Sequence, residues 1–515
     1  MIFAIAVAWY GLSLAPDVTW GGGDSPRLAI WVHDLTLGTH PTSHPLYVLA
    51  GRLWTALVPL GNLAFRLNLL SAVAGGAALL LFYRICRHLH GDRFLAVVAC
   101  IALGVSHTFW TLSVITEVYT FDLLIILALL WWSLRWMEQP SSERGALICF
   151  AFGLGLVEHL MIALMGPALL IALIKGSARG RFRLTLPRAA LGILAFLAGL
   201  SPSLWIMIVS LPKGAGIGEL WQSVEVFLNV AALDTATPAQ AADLADLLRF
   251  QWSPLLEIVL LIGLNFAGVA GVAGALGVAR ALAARSAKFA VLLVAMGCFY
   301  LFALLHPQVD TFQFCLAGHV VFALLLPLGF ETLRGWIGHR TRFSKAALDR
   351  CLVLLILAVP PLVYAGLPAL AKSAGIDLFH ARSLPHRDND SYFLFPPKCQ
   401  DDGPRRYIEE CFEQASPGAV LIADYTPGMV LTYASVVEGI RPDVEVITIW
   451  ENVDRQWQAI EAQLGRRPVF VAAAEPADSE VSRRWYLFED DLRARYEVIA
   501  RPPLFEVVWR RPGGE

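Results

Sequence analysis

Stretches of apolar residues long enough to cross a bilayer recur along this chain, and they limit its fold more than any other feature. A membrane-spanning helix needs roughly 17 to 25 such residues. Candidate spans are Ile2–Leu14, Phe65–Phe82, Phe94–Ile115, Val118–Leu134, Ala189–Leu211, Leu255–Ala279, Phe289–Leu305, Phe314–Phe330 and Leu352–Leu370. Ala146–Ile174 is too long for one span and short for two, and carries Glu158-His159 at its middle. Composition agrees: 57% of the 515 residues are hydrophobic and 16% charged, against about 25% charged in soluble domains. The first segment has no basic flank and no small-residue cleavage site, so it is expected to be a retained span rather than a signal peptide.

The Lys/Arg distribution orders these segments. One set of loops carries Arg84, Arg87 and Arg93, then Arg280, Arg285 and Lys288, then Arg334, Arg340, Arg342, Lys345 and Arg350. The alternate loops at Thr116-Glu117 and His306–Gln313 have none. Both flanks of Ala146–Ile174 are basic or polar, so this block is expected to enter and return as two short helices meeting near Glu158-His159. That gives about eleven spans at roughly 20 residues each. By the positive-inside rule the N-terminus is cytoplasmic. Asp24, Glu117, the long loop Pro212–Ser253 and the C-terminal region then face outward. Arg27, Arg52, Arg66, Lys213 and Arg249 are exceptions to the bias.

Two regions depart from the spanning pattern. Within the first outer loop (15–64), leucines recur at 46, 49, 53 and 57 beside Arg52, which predicts an amphipathic helix over 46–60 lying at the interface. After Leu370 charges become dense and Pro/Gly punctuation appears. A helix is expected over Arg406–Ala415, strands at Ala419–Ala423, Val444–Ile449, Pro468–Ala472 and Phe505–Trp509, and a turn over Asp424–Gly428. The expected organisation is a transmembrane domain, 1–370, and a small extracytoplasmic α/β domain, 371–515.

Ionisable groups at membrane depth are costly and mark functional positions by default. Four clusters fall on the same expected face: Gly23-Asp24-Ser25 with Asp17 and Asp34; His40 and His44, each before a proline; Glu117-Val118-Tyr119; and Glu158-His159. Ordinary structural roles compete with each of these. Asp24 stands where a helix N-cap would, Glu117 suits the first turn of a helix, the histidines can be loop residues stiffened by proline, and Glu158-His159 can be a satisfied internal pair. Asp310 is a weaker candidate. The His40/His44 spacing is not a zinc signature, because Pro41 and Pro45 interrupt any helix there. No cysteine has metal-ligand spacing, and no basic-aromatic tract suggests nucleic acid.

The run Gly22-Gly23-Asp24-Ser25, His40-Pro41, Pro45-Leu46-Tyr47 and Arg66-Leu67-Asn68-Leu69-Leu70-Ser71-Ala72 resembles a large family of bacterial membrane proteins long labelled as a domain of unknown function. That family also includes the animal endoplasmic-reticulum protein O-mannosyltransferase that acts on plexin-type domains. Phe109-Trp110, Glu117-Val118-Tyr119-Thr120, Glu158-His159-Leu160 and Glu438-Gly439-Ile440-Arg441-Pro442-Asp443 extend the resemblance over nearly the whole chain. It implies a GT-C type membrane glycosyltransferase that takes a sugar from a polyprenyl-phosphate or dolichol-phosphate donor with inversion at the sugar carbon. Asp24 matches the catalytic base. Arg66 and His159 become candidates for the leaving phosphate, and His40 for phosphate or acceptor. His44, Tyr47, Glu117 and Tyr119 complete the expected substrate-binding set.

The implied partners are the lipid-linked donor, a protein, glycan or lipid acceptor, and membrane lipids. A transporter or flippase for a lipid-linked or anionic solute is the main competing reading. It accounts for intramembrane charge but not for a Gly-rich acidic loop outside the bundle, and no inverted repeat is evident. A third reading, a non-catalytic sensor, makes Asp24 dispensable. Cys399 and Cys411 lie in the exported region. They are either two unpaired thiols or a bridge closing a short loop, which would add at most about 3 kcal/mol.

Overall fold

The computed structural model describes residues 1–21, 24–38, 43–177, 183, 185–210, 216, 218, 221, 252–306, 311–341, 343–376, 378–379, 382–450, 452–473 and 486–510. His40, Asp310, Lys213 and Arg249 lie outside them.

Among these residues six helices are long and apolar enough to cross a membrane: Leu63–His90, Tyr119–Glu138, Leu160–Ser177, Leu186–Val209, Ala287–Leu305 and Lys345–Ala374. Three helix pairs are as apolar when taken together but are bent at a short break, as a broken span or a re-entrant loop is: Arg93–Gly104 with His107–Val114, by 64°, Pro254–Asn265 with Val269–Ala283, by 117°, and Thr311–Ala323 with Leu326–Arg340, by 50°. Ile2–Leu12 and Ser142–Glu158 supply the remaining apolar segments. The expected double helix at 146–174 is present, with its apex at Glu158-His159. The three broken pairs correct the reading of Phe94–Ile115, Leu255–Ala279 and Phe314–Phe330 as continuous spans.

The breaks have identifiable supports. A broken helix frees backbone groups that the membrane cannot hydrate, so neighbouring side chains must take them up. Asn265, at the end of one half-helix, accepts from the Thr108 backbone N–H at 2.8 Å and donates to the Thr108 hydroxyl at 3.0 Å. The Tyr364 hydroxyl lies 3.3 Å from the Val105 carbonyl and 3.2 Å from that of Leu264. Gly268, φ +70°, makes the sharper bend sterically accessible. Two of the bends therefore brace each other. Elsewhere glycine permits close helix packing. A Cβ on Gly153 would stand 2.4 Å from the Phe196 carbonyl, and one on Gly199 would stand 2.2 Å from that of Phe150.

The first loop carries two short helices, α1 (Asp24–Asp34) and α2 (Pro45–Leu57). The second is the expected amphipathic helix. Leu49, Leu53 and Leu57 are exposed along one side, while Tyr47, Val48, Gly51 and Thr55 are buried on the other.

The C-terminal region forms a five-stranded sheet in the order β2-β1-β3-β5-β4. Its strands are β1 (Val420–Asp424), β2 (Glu445–Ile449), β3 (Val469–Ala472), β4 (Glu497–Arg501) and β5 (Leu504–Val508). Strands β1, β2 and β3 are parallel; β5 runs antiparallel to β3 and β4. Central β1 is buried throughout, as a parallel strand covered on both faces should be. Leu421, Ala423, Phe470 and Ala472 face helix Gly403–Gln414 and helix Tyr425–Val436. Val420, Ile422, Val469 and Val471 face helix Val453–Gln463.

The expected turn at Asp424–Gly428 is instead the start of helix Tyr425–Val436. Pro427 is tolerated there because the first N–H groups of a helix have no intrahelical partner to lose. Cys399 is exposed and Cys411 is buried in the sheet-domain core; both are free thiols, so the bridge does not form.

Candidate active site

Asp24 opens α1. Its carboxylate pairs with Arg27, one turn along the helix, at 2.6 Å. The Tyr425 hydroxyl, from the first residue after β1, donates to it at 3.4 Å. The Asp24 side chain keeps 30% of its surface open. Loss of solvent nonetheless raises its pKa above the usual carboxylate range, against the opposing pull of Arg27 and the Tyr425 hydroxyl. The Arg27 guanidinium lies 4.7 Å over the Trp31 ring and 5.9 Å from that of Trp450. Arg27 is also within electrostatic reach of Glu117 and Tyr119. The acid at the head of α1 thus shares a region with the Glu117–Tyr119 segment, as the sequence reading expected.

The framework behind this region is polar and buried. Asn68 donates to the carbonyls of Ala15 at 2.9 Å and Asp17 at 3.0 Å, and accepts from the Thr116 hydroxyl at 2.6 Å. The Ser71 hydroxyl donates to the Glu117 carbonyl at 3.3 Å. Glu117 itself is only 2% exposed. Helix Leu63–His90 therefore ties the entrance of the first loop to the Glu117 segment.

His44, His159, Tyr119 and Tyr47 gather beside it. Glu158 accepts the backbone N–H groups of Leu46 at 2.8 Å and Tyr47 at 3.0 Å, capping α2 from a different part of the chain. His44 precedes Pro45 in the left-handed region at φ +45°. Its Nδ1 is 3.0 Å from the Glu158 carbonyl, and its ring meets that of His159 edge-on at 5.0 Å. His159 Nδ1 stands 2.5 Å from the Asp122 carboxylate, and the Tyr119 ring lies 5.7 Å from that of His159. Tyr47 is fully buried against Phe121.

Arg66 lies elsewhere. Its guanidinium donates to the carbonyls of Thr55 and Asn62. It lines a cavity of about 530 Å³ with His33, Arg52 and Glu438. Asp34 pairs with His33 at the far end of α1. Asp17 pairs with Arg405, which also holds Glu438 at 2.6 and 2.7 Å. Sequence reasoning did not single out Arg27, Asp122, Asn68 or Tyr425. The Asp24/Arg27 spacing of three on a helix was the available signal for Arg27. Among the described residues no group of three or more His, Cys, Asp or Glu could hold a metal ion.

This fold packs an acidic first-loop helix against a small sheet domain, beside helices long and apolar enough to cross a membrane. Residues 24–179 match the family model described as the Protein O-mannosyl-transferase TMEM260 N-terminal domain. The chain is 31% identical over 218 residues to the Mus musculus protein named Protein O-mannosyl-transferase TMEM260. That match covers 41% of this chain and 30% of the mouse protein, so the chain spans under a third of that relative. In fold the chain is similar to the crystal structure of ArnT from Cupriavidus metallidurans in the apo state. The TM-score is 0.59 at 13% identity, over 98% of this chain and 96% of the other. It is similarly close to ArnT bound to undecaprenyl phosphate, with TM-score 0.58 at 14% identity over the same shares. The resemblance read from the sequence is borne out by family over 24–179 and by fold over nearly the whole chain.

Proposed function

We propose that the chain is an inverting glycosyltransferase. It would move a sugar from a polyprenyl-phosphate donor to an acceptor hydroxyl at the outer membrane face, with Asp24 as general base. The observation that carries this reading is the Asp24–Arg27 pair at the head of α1, inside a GT-C-type fold. The acceptor O–H gives its proton to the Asp24 carboxylate as the oxygen attacks C1. The bond between C1 and the phosphate oxygen breaks with its electron pair, and polyprenyl phosphate leaves. A carboxylate whose pKa is raised is a better proton acceptor near neutral pH than an ordinary aspartate.

Arg27 gives the step a second contribution. While Asp24 is ionised, Arg27 neutralises it. Once Asp24 takes the proton, Arg27 keeps its charge without that partner and can pair with the departing phosphate. On this reading Arg27 takes the role for which the sequence had nominated Arg66. His159, oriented by Asp122, and His44 and Tyr119 line the neighbouring face of the site, where they would contact donor or acceptor; Glu117 and Tyr47 shape its buried wall. The organisation into a transmembrane part, 1–370, and an outer α/β part, 371–515, belongs to the same proposal, as does a cytoplasmic N-terminus.

The ArnT structure bound to undecaprenyl phosphate supports a donor of the polyprenyl-phosphate class. The mouse relative's description makes mannose the first sugar to test. The test is turnover by the purified chain in nanodiscs loaded with polyprenyl-phosphate mannose labelled in the sugar. Acceptor-dependent release of polyprenyl phosphate supports the reading. Donor that crosses the bilayer unchanged supports the transporter instead.

A further inference from the structure

A second pocket lies in the sheet domain, apart from the residues assigned to the transfer reaction. It occupies about 210 Å³ and is lined by Arg382, Tyr407, Pro427, Ala472, Glu489 and Phe505, among others. Its position follows from the topology. The chain leaves β1 to form β2 on one side, then crosses back to form β3 on the other. The carboxyl ends of β1 and β3 therefore bound a switch point, where open α/β sheets bind ligands. Ala472 ends β3, and Asp424 ends β1.

The chemistry of the lining narrows the ligand. Arg382 pairs with Asp424, and Glu489 pairs with Arg493 at 2.6 Å. Each charge at the pocket is already matched, so an ionic ligand gains no unpaired partner. Hydrogen-bonding capacity remains. The Arg382 guanidinium lines this space and lies 4.3 Å over the Tyr486 ring, with its Nε–H lacking a hydrogen-bond partner among the described residues. Phe505, Pro427 and Tyr407 supply apolar surface to the same space. A neutral, polyhydroxylated ring with one apolar face fits this combination, and the volume suits a single sugar residue.

The pocket also adjoins the Asp24 site. Asp424 holds Arg382, and the next residue, Tyr425, reaches Asp24. Tyr407 lines the pocket and packs against Trp20 of the first loop, with the ring centres 5.3 Å apart and the planes tilted by 56°. We propose that this pocket is a saccharide-binding subsite that holds a neutral sugar of the acceptor or product. Its place in turnover rests on the glycosyl-transfer reading; its affinity for sugar does not.

The experiment is saturation-transfer NMR on the full chain in nanodiscs, titrated separately with the methyl glycosides of mannose, glucose, galactose and N-acetylglucosamine. Ala473 also lines the pocket; Ala473→Trp fills it without breaking an ion pair, and Arg382→Lys keeps the charge while removing the Nε–H. The expected result is saturable binding of at least one glycoside to wild type and to Asp24→Asn alike. That binding weakens at least tenfold in whichever of the two pocket variants melts as wild type does. Absence of binding by all four glycosides, binding unchanged in a folded pocket variant, or binding lost in Asp24→Asn would each overturn the proposal. A chain that binds sugar at this pocket but never turns over the donor would overturn the transferase reading alone.

Discussion

Tyr425 donates its hydroxyl to the Asp24 carboxylate at 3.4 Å, across 401 residues of sequence. The sheet domain thereby reaches into the region that holds the proposed base, and β1 aims the contact. The Tyr425 hydroxyl lowers the Asp24 pKa, and loss of solvent raises it by more. Tyr425→Phe should therefore move the acid limb of kcat upward, because it removes a hydrogen bond that favours the ionised carboxylate. An unchanged pH profile would mean that the contact is not maintained during turnover.

The pH dependence has a definite sign. Protonated Asp24 cannot accept the acceptor's proton, so kcat falls as pH drops through its pKa. That midpoint should lie above the ordinary aspartate value of about 3.9. Arg27 pulls the pKa down, so Arg27→Gln, assayed at saturating donor, should shift the acid limb to higher pH.

The same variant separates the two proposed cation assignments. Arg27→Gln should raise the KM for the donor by about tenfold or more, since a charge-assisted pair contributes roughly 1.5–3 kcal/mol. Arg66→Gln should raise it less, because its guanidinium is directed at the Thr55 and Asn62 carbonyls. Donor KM values measured for both variants decide between them.

Docking of the sheet domain depends on Trp20, which is fully buried in that domain's core although it comes from the first loop. Trp20→Ala should destabilise the folded state by about 3–5 kcal/mol, the usual range for a buried aromatic. Arg405→Ala should loosen the same junction, because Asp17 and Glu438 then face each other without their shared cation. Hydrogen exchange at residues 15–21 should rise in both variants while exchange within Leu63–His90 stays slow.

Asn68 provides a stability test inside the framework. It is fully buried and serves two carbonyls and one hydroxyl. Asn68→Leu keeps the size but strands these groups, at about 1–3 kcal/mol for each left unsatisfied. Melting temperature should fall, and transfer should drop even at temperatures where the variant remains folded.

Local features carried much of this architecture in the sequence. Apolar run length identified the spans. The 49/53/57 leucine spacing identified an amphipathic helix, and the apolar runs at 419–423 and 468–472 identified strands. What the sequence hid depends on distant partners. Phe94–Ile115 is apolar from end to end, and its break is supported by Asn265 and Tyr364 from other helices. Pro427-Gly428 resembles a turn, yet Gly428 packs against Thr448 of β2 and the helix continues. Asp24 and the Glu117–Tyr119 segment were legible because each sits at a break between apolar runs. Asp122 was not, because it lies within an apolar run and acquires meaning only where the apex at His159 folds back onto it.

The most direct measurement compares acceptor-dependent release of polyprenyl phosphate by wild type and Asp24→Asn. Asparagine preserves the shape and most of the hydrogen bonding to Tyr425 but cannot serve as the base. A positioned general base contributes about 10²–10⁴-fold. The account predicts a loss of that size, with donor still bound and the melting temperature preserved. Release by Asp24→Asn at a near-wild-type rate would contradict the account.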